Sequence, residues 1–286
     1  MNPAPGSADN VKAAIHQEWQ EAAPLWKKWY AKLALQSRAA TELVLQGADL
    51  APGQKVLDLA SGSGEPALSV ARAVAPNGRV VATDMVPEML SAAREHASAM
   101  KLSNIEFQVA DAEQLPFRDG EFDRITCRFG LMFFPDARKA LSEHRRVLKP
   151  GGRISYVVWG PMEENPLFSV MLTPFLKHVS MPAPPPDAPG VFRYADEQKL
   201  AGTIYAGGFH EVQTQKVSVK WPWPGPPQEA WESVRELAAP FKKIIAALPA
   251  EKMEQAIAEV IDGISRYYDG ATVNFPATLL AVRATA

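Results

Sequence analysis

Five short β-rich runs alternate with helical segments between Lys55 and Gly160. The runs are KVLDLA (55–60), GRVVATD (78–84), NIEFQVAD (104–111), FDRITCRF (122–129) and GRISYVVWG (152–160), and the helical segments are PALSVARAVA, PEMLSAAREHASAM and DARKALSEHRRVLK. Alternation at these lengths builds βαβ units, whose crossover helices cover both faces of a parallel sheet. The expected fold class is therefore α/β, with a doubly wound parallel sheet.

The first run opens into DLASGSGEPA (58–67), where Gly62 and Gly64 stand two apart and Pro66 follows. Glycine accepts positive φ and lets backbone approach a ligand, and proline suits the first turn of a helix. The segment reads as strand, tight turn and helix start, and a helix start offers free N–H groups to an anionic or oxygen-rich ligand. In open α/β sheets the ligand lies beyond the carboxyl ends of the strands. Those ends here are the glycine loop, Asp84, Asp111 and the Cys127-Arg128 pair. Asp84 follows Gly62 by 22 residues, a position from which a carboxylate can accept both hydroxyls of a ribose. Asp111 with Ala112 can read the edge of an adenine through a carboxylate and a backbone N–H. Asp58 stands inside an apolar run, where burial of an acid needs a partner, and a ligand ammonium group would serve. This row of acids would repel a pyrophosphate.

The flanks are less regular. Val11 to Gly47 is helical in pattern, with Trp19, Trp26 and Leu33 at seven-residue spacing, and a break is expected near Pro24. That stripe, with Trp29 and Tyr30, reads either as core or as a helix that closes over the ligand and walls an apolar pocket. After Gly160, NPLFSVMLTPFLKHV reads as a helix, MPAPPPDAPG (181–190) as an extended connector, and DEQKLAGTIYAGGF as a helix stopped by Gly207-Gly208. HEVQTQKVSVKW and ATVNFPATLLAVRA read as two late strands, with a helical insertion from Gln228 to about Tyr268 between them. Together they suggest an antiparallel sheet edge carrying a lid. The expected organisation is a helical cap at 1–50, a core at 51–160, and acceptor-side helices, lid and final strands of the same sheet at 161–286.

Composition narrows the function. The chain has 286 residues, 47% hydrophobic and 22% charged, ordinary for a soluble domain with appendages. Its formal net charge of −2 carries no strong basic field, which disfavours a nucleic-acid substrate. Cys127 is the single cysteine, so an internal disulfide and a cysteine-based zinc site are excluded, and a reducing, cytoplasmic setting is expected. The polar start MNPAPGSADN is unlike a signal peptide, and no stretch reaches the roughly 20 apolar residues of a membrane span. No His/acid cluster suggests a metal, and oligomeric state is left open.

Taken jointly, VLDLASGSGEPAL, VVATDMVPEMLSAARE, NIEFQVADAEQLPF, FDRITCRFGLMFFPD and RRVLKPGGRI resemble the class I S-adenosylmethionine-dependent methyltransferases, most closely the ubiquinone/menaquinone C-methyltransferase-like (UbiE-type) group. The resemblance implies a Rossmann-like seven-stranded sheet of order 3-2-1-4-5-7-6 with strand seven antiparallel, and S-adenosylmethionine as cofactor. It implies that Asp58, Ala60, Gly62, Ser63 and Gly64 wrap the methionine end, that Asp84 holds the ribose hydroxyls with Met85 against the adenine, and that Asp111 and Ala112 address the adenine edge. Arg128 and Phe129 would lie beside the methionine portion, and LKPGG would be a tight turn into strand five. One departure separates the acceptor from the cofactor: the quinone enzymes tend to carry an arginine-asparagine pair where this chain has Met132 and Phe133, and the long insertion after strand six is not typical of them.

The implied reaction moves a methyl group to carbon or oxygen of a small apolar or aromatic acceptor. The alternatives are N-methylation of a small amine, or cofactor binding without transfer. Alignment can supply much of the barrier in such a reaction, and a base is needed only where the acceptor must lose a proton. His144 reads as a surface helix residue, and His178, His210, Tyr194, Tyr267 and Tyr268 lie in the region expected to face the acceptor. None of them forms a catalytic constellation in sequence.

Overall fold

In the computed structural model, which describes residues 8–180, 185, 187–237 and 244–286, seven strands form one sheet of order β3-β2-β1-β4-β5-β7-β6. β1 (Lys55–Leu59), β2 (Arg79–Asp84), β3 (Ile105–Val109), β4 (Phe122–Arg128) and β5 (Leu148–Trp159) are parallel. β7 (Thr272–Thr285) lies between β5 and β6 (His210–Pro224) and runs antiparallel to both. The expected fold, strand order and antiparallel final strand are all found. β6 consequently runs in the direction of β1–β5, so its end reaches the same rim as theirs.

Alternation along β1 explains why both faces are covered. Val56 joins a cluster with Ala67, Val70 and Ala71 of α3 (Ala67–Ala73), while Leu57 and Leu59 face the larger core on the other side. α4 (Pro87–Ala99) and α5 (Ala137–Val147) are the other crossover helices. LKPGG is the irregular start of β5 rather than a free turn: Leu148 pairs with Phe122, and the register shifts before Arg124.

The N-terminal segment corrects one expectation. α1 (Ala8–Gln36) continues through Pro24, and the chain breaks at Ser37 before α2 (Arg38–Ala48). Proline removes an N–H and displaces the carbonyl four residues earlier, yet Pro24 and Gln20 are both exposed, so water can solvate what is freed. Ala22 and Ala23, on the buried face, seat the helix against the protein.

β6 and β7 extend past β5. Trp159 closes β5 opposite Leu279, but β7 begins at Thr272 and stays paired to β6 as far as Pro224. At about 3.4 Å per residue this hairpin rises roughly 24 Å above the rim. α6 (Pro166–Leu176), α7 (Glu197–Ala206), α8 (Pro227–Leu237) and α9 (Ala250–Ser265) complete the molecule. The expected insertion is thus α8 and α9 with a helical stretch at 244–247; residues 238–243, residues 181–184 and 186 of the expected connector and residues 1–7 lie outside the described residues.

Asn165 joins the hairpin to the rim. It is fully buried, its amide donates to Pro161 O (2.8 Å) and Thr278 O (3.1 Å), and its Oδ1 accepts from Thr278 N (3.0 Å). Asn165→Ala leaves the Thr278 N–H without its acceptor, at about 1–3 kcal/mol, and removes the amide's donations to Pro161 O and Thr278 O, the latter still accepting from Gly160 N at 2.9 Å. Urea unfolding is expected to show a loss of roughly 2–4 kcal/mol, against under about 1 kcal/mol for an exposed control such as Gln17→Ala.

Candidate cofactor and acceptor site

The rim residues expected from sequence converge around the end of β1. Asp58 is completely enclosed, and register places Thr126 of β4 directly opposite, so the Thr126 hydroxyl donates to Asp58 Oδ1 at 2.5 Å. Asp58 Oδ2 has no partner. Burial pushes this carboxyl up to about 7, against the opposing pull of the nearby Ser61 and Thr126 hydroxyls and the charge of Arg128; the Ser61 hydroxyl donates to the main-chain Asp58 O at 3.1 Å.

The glycine loop follows at once. Ala60, Gly62 and Gly64 have φ of 50°, 53° and 128°, and a residue with a side chain at 60 holds strain of about 1–3 kcal/mol. Gly62 N donates to Asp84 Oδ2 and Val86 N to Oδ1, both at 2.9 Å, so Asp84 ties the loop after β1 to the end of β2. Burial raises the Asp84 carboxyl, opposed by these two N–H donors. Ser63 is buried, and its carbonyl meets His96 Nδ1 at 2.9 Å. Pro66 stands just before α3 rather than inside it, and that helix has only seven residues, so the helix start expected to receive a ligand is replaced by the loop and its acids.

Arg128, two residues beyond Thr126 and on the same face of β4, is half-buried with Nη1 on Ser37 Oγ (2.7 Å) and Thr41 Oγ1 (2.8 Å), while its enclosed Nε is unpartnered. Burial lowers its pKa, and the nearby charges of Glu65 and Asp58 act to raise it. Phe129 takes φ of 62°, and its ring stacks on Trp159 with centroids 5.0 Å apart.

Asp111 and Ala112 lie farther along the rim and are not free. Lys12 Nζ of α1 stands 2.6 Å from both Asp111 Oδ2 and Glu113 Oε2. Burial acts to lower the Lys12 ammonium, and the two carboxylates outweigh it and hold it above its ordinary value. α1 then crosses the rim, with Trp19 and Trp26 packed on Met85, Val86 and Met89. Its far end meets the insertion, where Trp29 Nε1 donates to Glu236 (2.7 Å), Lys32 pairs with Glu229, and Trp29 packs on Trp223 (5.3 Å). Trp19 and Trp26 pack into an apolar cluster, as the core reading expects, on a helix that lies across the rim.

A second group of rings lies at the ends of β5 and β6. Trp159, Trp221 and Phe168 meet at 4.7–4.9 Å, and Phe192 meets Phe168 at 4.8 Å. Sequence reasoning passed over these residues, although Trp159 ends the fifth run and Trp221 the sixth strand. His144 is corrected: it is fully buried, its Nδ1 is 2.8 Å from Tyr156 Oη, and burial lowers it to about 3, so it stays neutral. Tyr194 is likewise buried, His210 begins β6 at the opposite rim, and Tyr267 packs on Phe275.

Known proteins resemble this chain in sequence and in fold. The model of the ubiE/COQ5 methyltransferase family matches residues 27–183. The chain belongs to that family. A demethylmenaquinone methyltransferase of Deinococcus radiodurans is 40% identical over 126 residues, covering 44% of this chain and 51% of that protein. The UbiE ubiquinone/menaquinone biosynthesis C-methyltransferase of Francisella philomiragia is 36% identical over 176 residues, covering 58% and 70%. The chain spans about half the length of most curated relatives it matches. Among solved structures, the [4+2]-cyclase SpnF superposes with a TM-score of 0.59 at 22% identity, covering 95% of this chain and 94% of that one. The fold is therefore shared, and fold alone does not decide the reaction.

Asp58 yields a prediction that needs no ligand. Its folded pKa lies above the unfolded value, so the folded state holds the proton more tightly and stability falls as pH rises from about 4 to 7. Asp58→Asn keeps the Thr126 bond and removes the titration. In urea unfolding the variant is expected to gain on the native protein by on the order of 2–4 kcal/mol between pH 4 and pH 8, and parallel curves would refute a raised Asp58.

Proposed function

We propose that this chain transfers the methyl group of S-adenosylmethionine to carbon or oxygen of a small apolar or aromatic acceptor. The observation that carries the cofactor is Asp58 Oδ2, an enclosed carboxylate oxygen without a partner beside a strained glycine loop. Such an atom is costly to bury unless a cation meets it, and a ligand ammonium fits that requirement. Ala60, Gly62, Ser63 and Gly64 would line the methionine portion, Asp84 would hold the ribose, and Met85, Asp111 and Ala112 would border the adenine. Bound there, S-adenosylmethionine supplies a methyl group already activated by a cationic sulfur.

The chain's own contribution is enclosure and alignment. Arg128 and Asp58 fix the polar end, α1 shields the rim from water, and Phe129 turns the site toward the rings of Trp159, Trp221 and Phe168. Positioning of this kind supplies roughly 7–11 kcal/mol of a transfer barrier. His144, neutral and bonded to Tyr156, offers no base to the acceptor. The aromatic character of the acceptor side favours an apolar or aromatic acceptor over a small amine, which would call for an acid there. We place the protein in the cytoplasm and assign it a small-molecule partner; among the described residues no helix is long and apolar enough to cross a membrane.

Calorimetry with S-adenosylmethionine tests the reading. Micromolar binding is expected, with a loss of roughly 10–100-fold in Asp84→Ala, as for about 1.5–3 kcal/mol of charge-assisted bonding. Methyl transfer to a panel of phenols, quinols and amines then identifies the acceptor. Trp221→Ala is expected to raise the acceptor KM severalfold and leave cofactor affinity unchanged. Absence of binding in the native protein would overturn the assignment, and binding without transfer to any acceptor class would favour a cofactor-binding protein.

A further inference from the structure

Residues 187–195 form neither helix nor strand, so no regular ladder fixes their backbone. Two hydrogen bonds seat them on the loop that follows β4, at 130–136. Gly190 N donates to Met132 O at 3.0 Å, and Arg193 Nη1 donates to Phe134 O at 2.5 Å. A guanidinium presents its N–H donors as a planar fork, and Arg193 directs two more to Asp187, Nε to Oδ1 at 3.3 Å and Nη2 to Oδ2 at 3.1 Å. The Arg193 side chain is only 3% exposed, whereas that of Asp187 is 70% exposed. Enclosing a guanidinium is costly unless its partners are well placed, and here one fork joins the turn both to itself and to the loop.

Phe192 lies between these two anchors. Its ring meets Phe168 of α6 edge to face at 4.8 Å, and Phe168 meets Trp159 at 4.9 Å. Phe129, Phe168 and Phe192 are half-buried, whereas Trp159 and Trp221 are buried. The rings that keep an accessible face therefore come from three places. β4 fixes Phe129 and α6 fixes Phe168; for Phe192 the fixing bonds are those of Gly190 and Arg193. The loop that receives them also borders the cofactor side, since a Cβ on Gly130 would stand 2.7 Å from Ala60 Cβ of the glycine loop.

We propose that Arg193 is a positioning residue for the acceptor: by latching 187–195 to the loop after β4, it holds Phe192 in a wall with Phe129 and Phe168 that seats a planar aromatic ring. This rests on the methyl-transfer reading above and narrows its acceptor class to planar aromatics. Ring contacts favour offset or edge-to-face geometry at centroid distances of about 4.5–7 Å, so they depend on the angle at which each ring is held. A turn freed from Arg193 lets Phe192 rotate away and loosens the seat, while the acids and glycines of the rim keep their places.

Calorimetric titration of 2-naphthol, with S-adenosylhomocysteine saturating, probes this wall. Phe192→Ala and Arg193→Met are each expected to weaken 2-naphthol roughly tenfold, and the double variant by roughly tenfold again in total rather than by the product, because both act through one ring. Affinity for S-adenosylhomocysteine is expected to stay within about twofold throughout. Asp187→Asn alters the latch from its exposed side without opening the core, and keeps the test alive if melting shows Arg193→Met unfolded. It is expected to weaken 2-naphthol about twofold in the native background and to have no effect beside Phe192→Ala. Losses that multiply, variants that bind 2-naphthol as the native protein does, equal weakening of both ligands, or a native protein that binds S-adenosylhomocysteine but not 2-naphthol would each overturn the proposal and leave the cofactor reading standing. A native protein that does not bind S-adenosylhomocysteine overturns the cofactor reading, and the proposal with it.

Discussion

Parallel pairing of β1 with β2 on one side and β4 on the other is the constraint on which the site depends. Register sets Asp58 opposite Ala82 and Thr126, and so ends the three strands at one level. From that level follow the Thr126 bond to Asp58, the bridge from Asp84 to Gly62, and the arrival of Arg128 beside both. A slip of one residue in β1 would turn Asp58 to the opposite face of the sheet and separate it from Thr126 and Arg128. The hydrophobic alternation that divides Val56 from Leu57 and Leu59 forbids that slip, so packing on both faces also enforces the chemistry of the rim.

Asp58 shows what this rigidity costs and permits. A carboxylate closed off from water with one oxygen unpaired disfavours its own ionised form. The sheet holds it there nonetheless, because strand backbone, loop and neighbouring apolar side chains over-determine its position. Strain at Ala60 and Phe129 is sustained in the same way.

α1 extends the site without belonging to the sheet. Its exposed ion pairs, such as Lys27 with Glu95, contribute little individually, at about 0–1 kcal/mol. The apolar seat of Trp19 and Trp26 on Met85, Val86 and Met89 supplies more, since burial of a large side chain is worth about 1.5–3 kcal/mol. A single continuous helix through Pro24 is what lets Lys12 reach Asp111 at one end while Lys32 reaches Glu229 at the other. Two helices broken at Pro24 would not span that distance in one line.

The local pattern was enough to specify the strands, their parallel core, the glycine loop and the acids at the strand ends, because periodicity and turn chemistry are properties of neighbouring residues. It also singled out Asp58, since an acid within an apolar run is anomalous wherever the chain folds. Tertiary structure alone decided that His144 is enclosed against Tyr156, that Lys12 answers Asp111, that Pro24 is accommodated, and that the ring of Phe129, just past β4, meets rings from β5, β6 and α6. Each of these pairs residues distant in the chain or depends on which side of a helix meets solvent. Sequence therefore determined the sheet and the acids at its rim, whereas the helix lying across the rim and the aromatic cluster were decided by long-range packing, which no local spacing encodes.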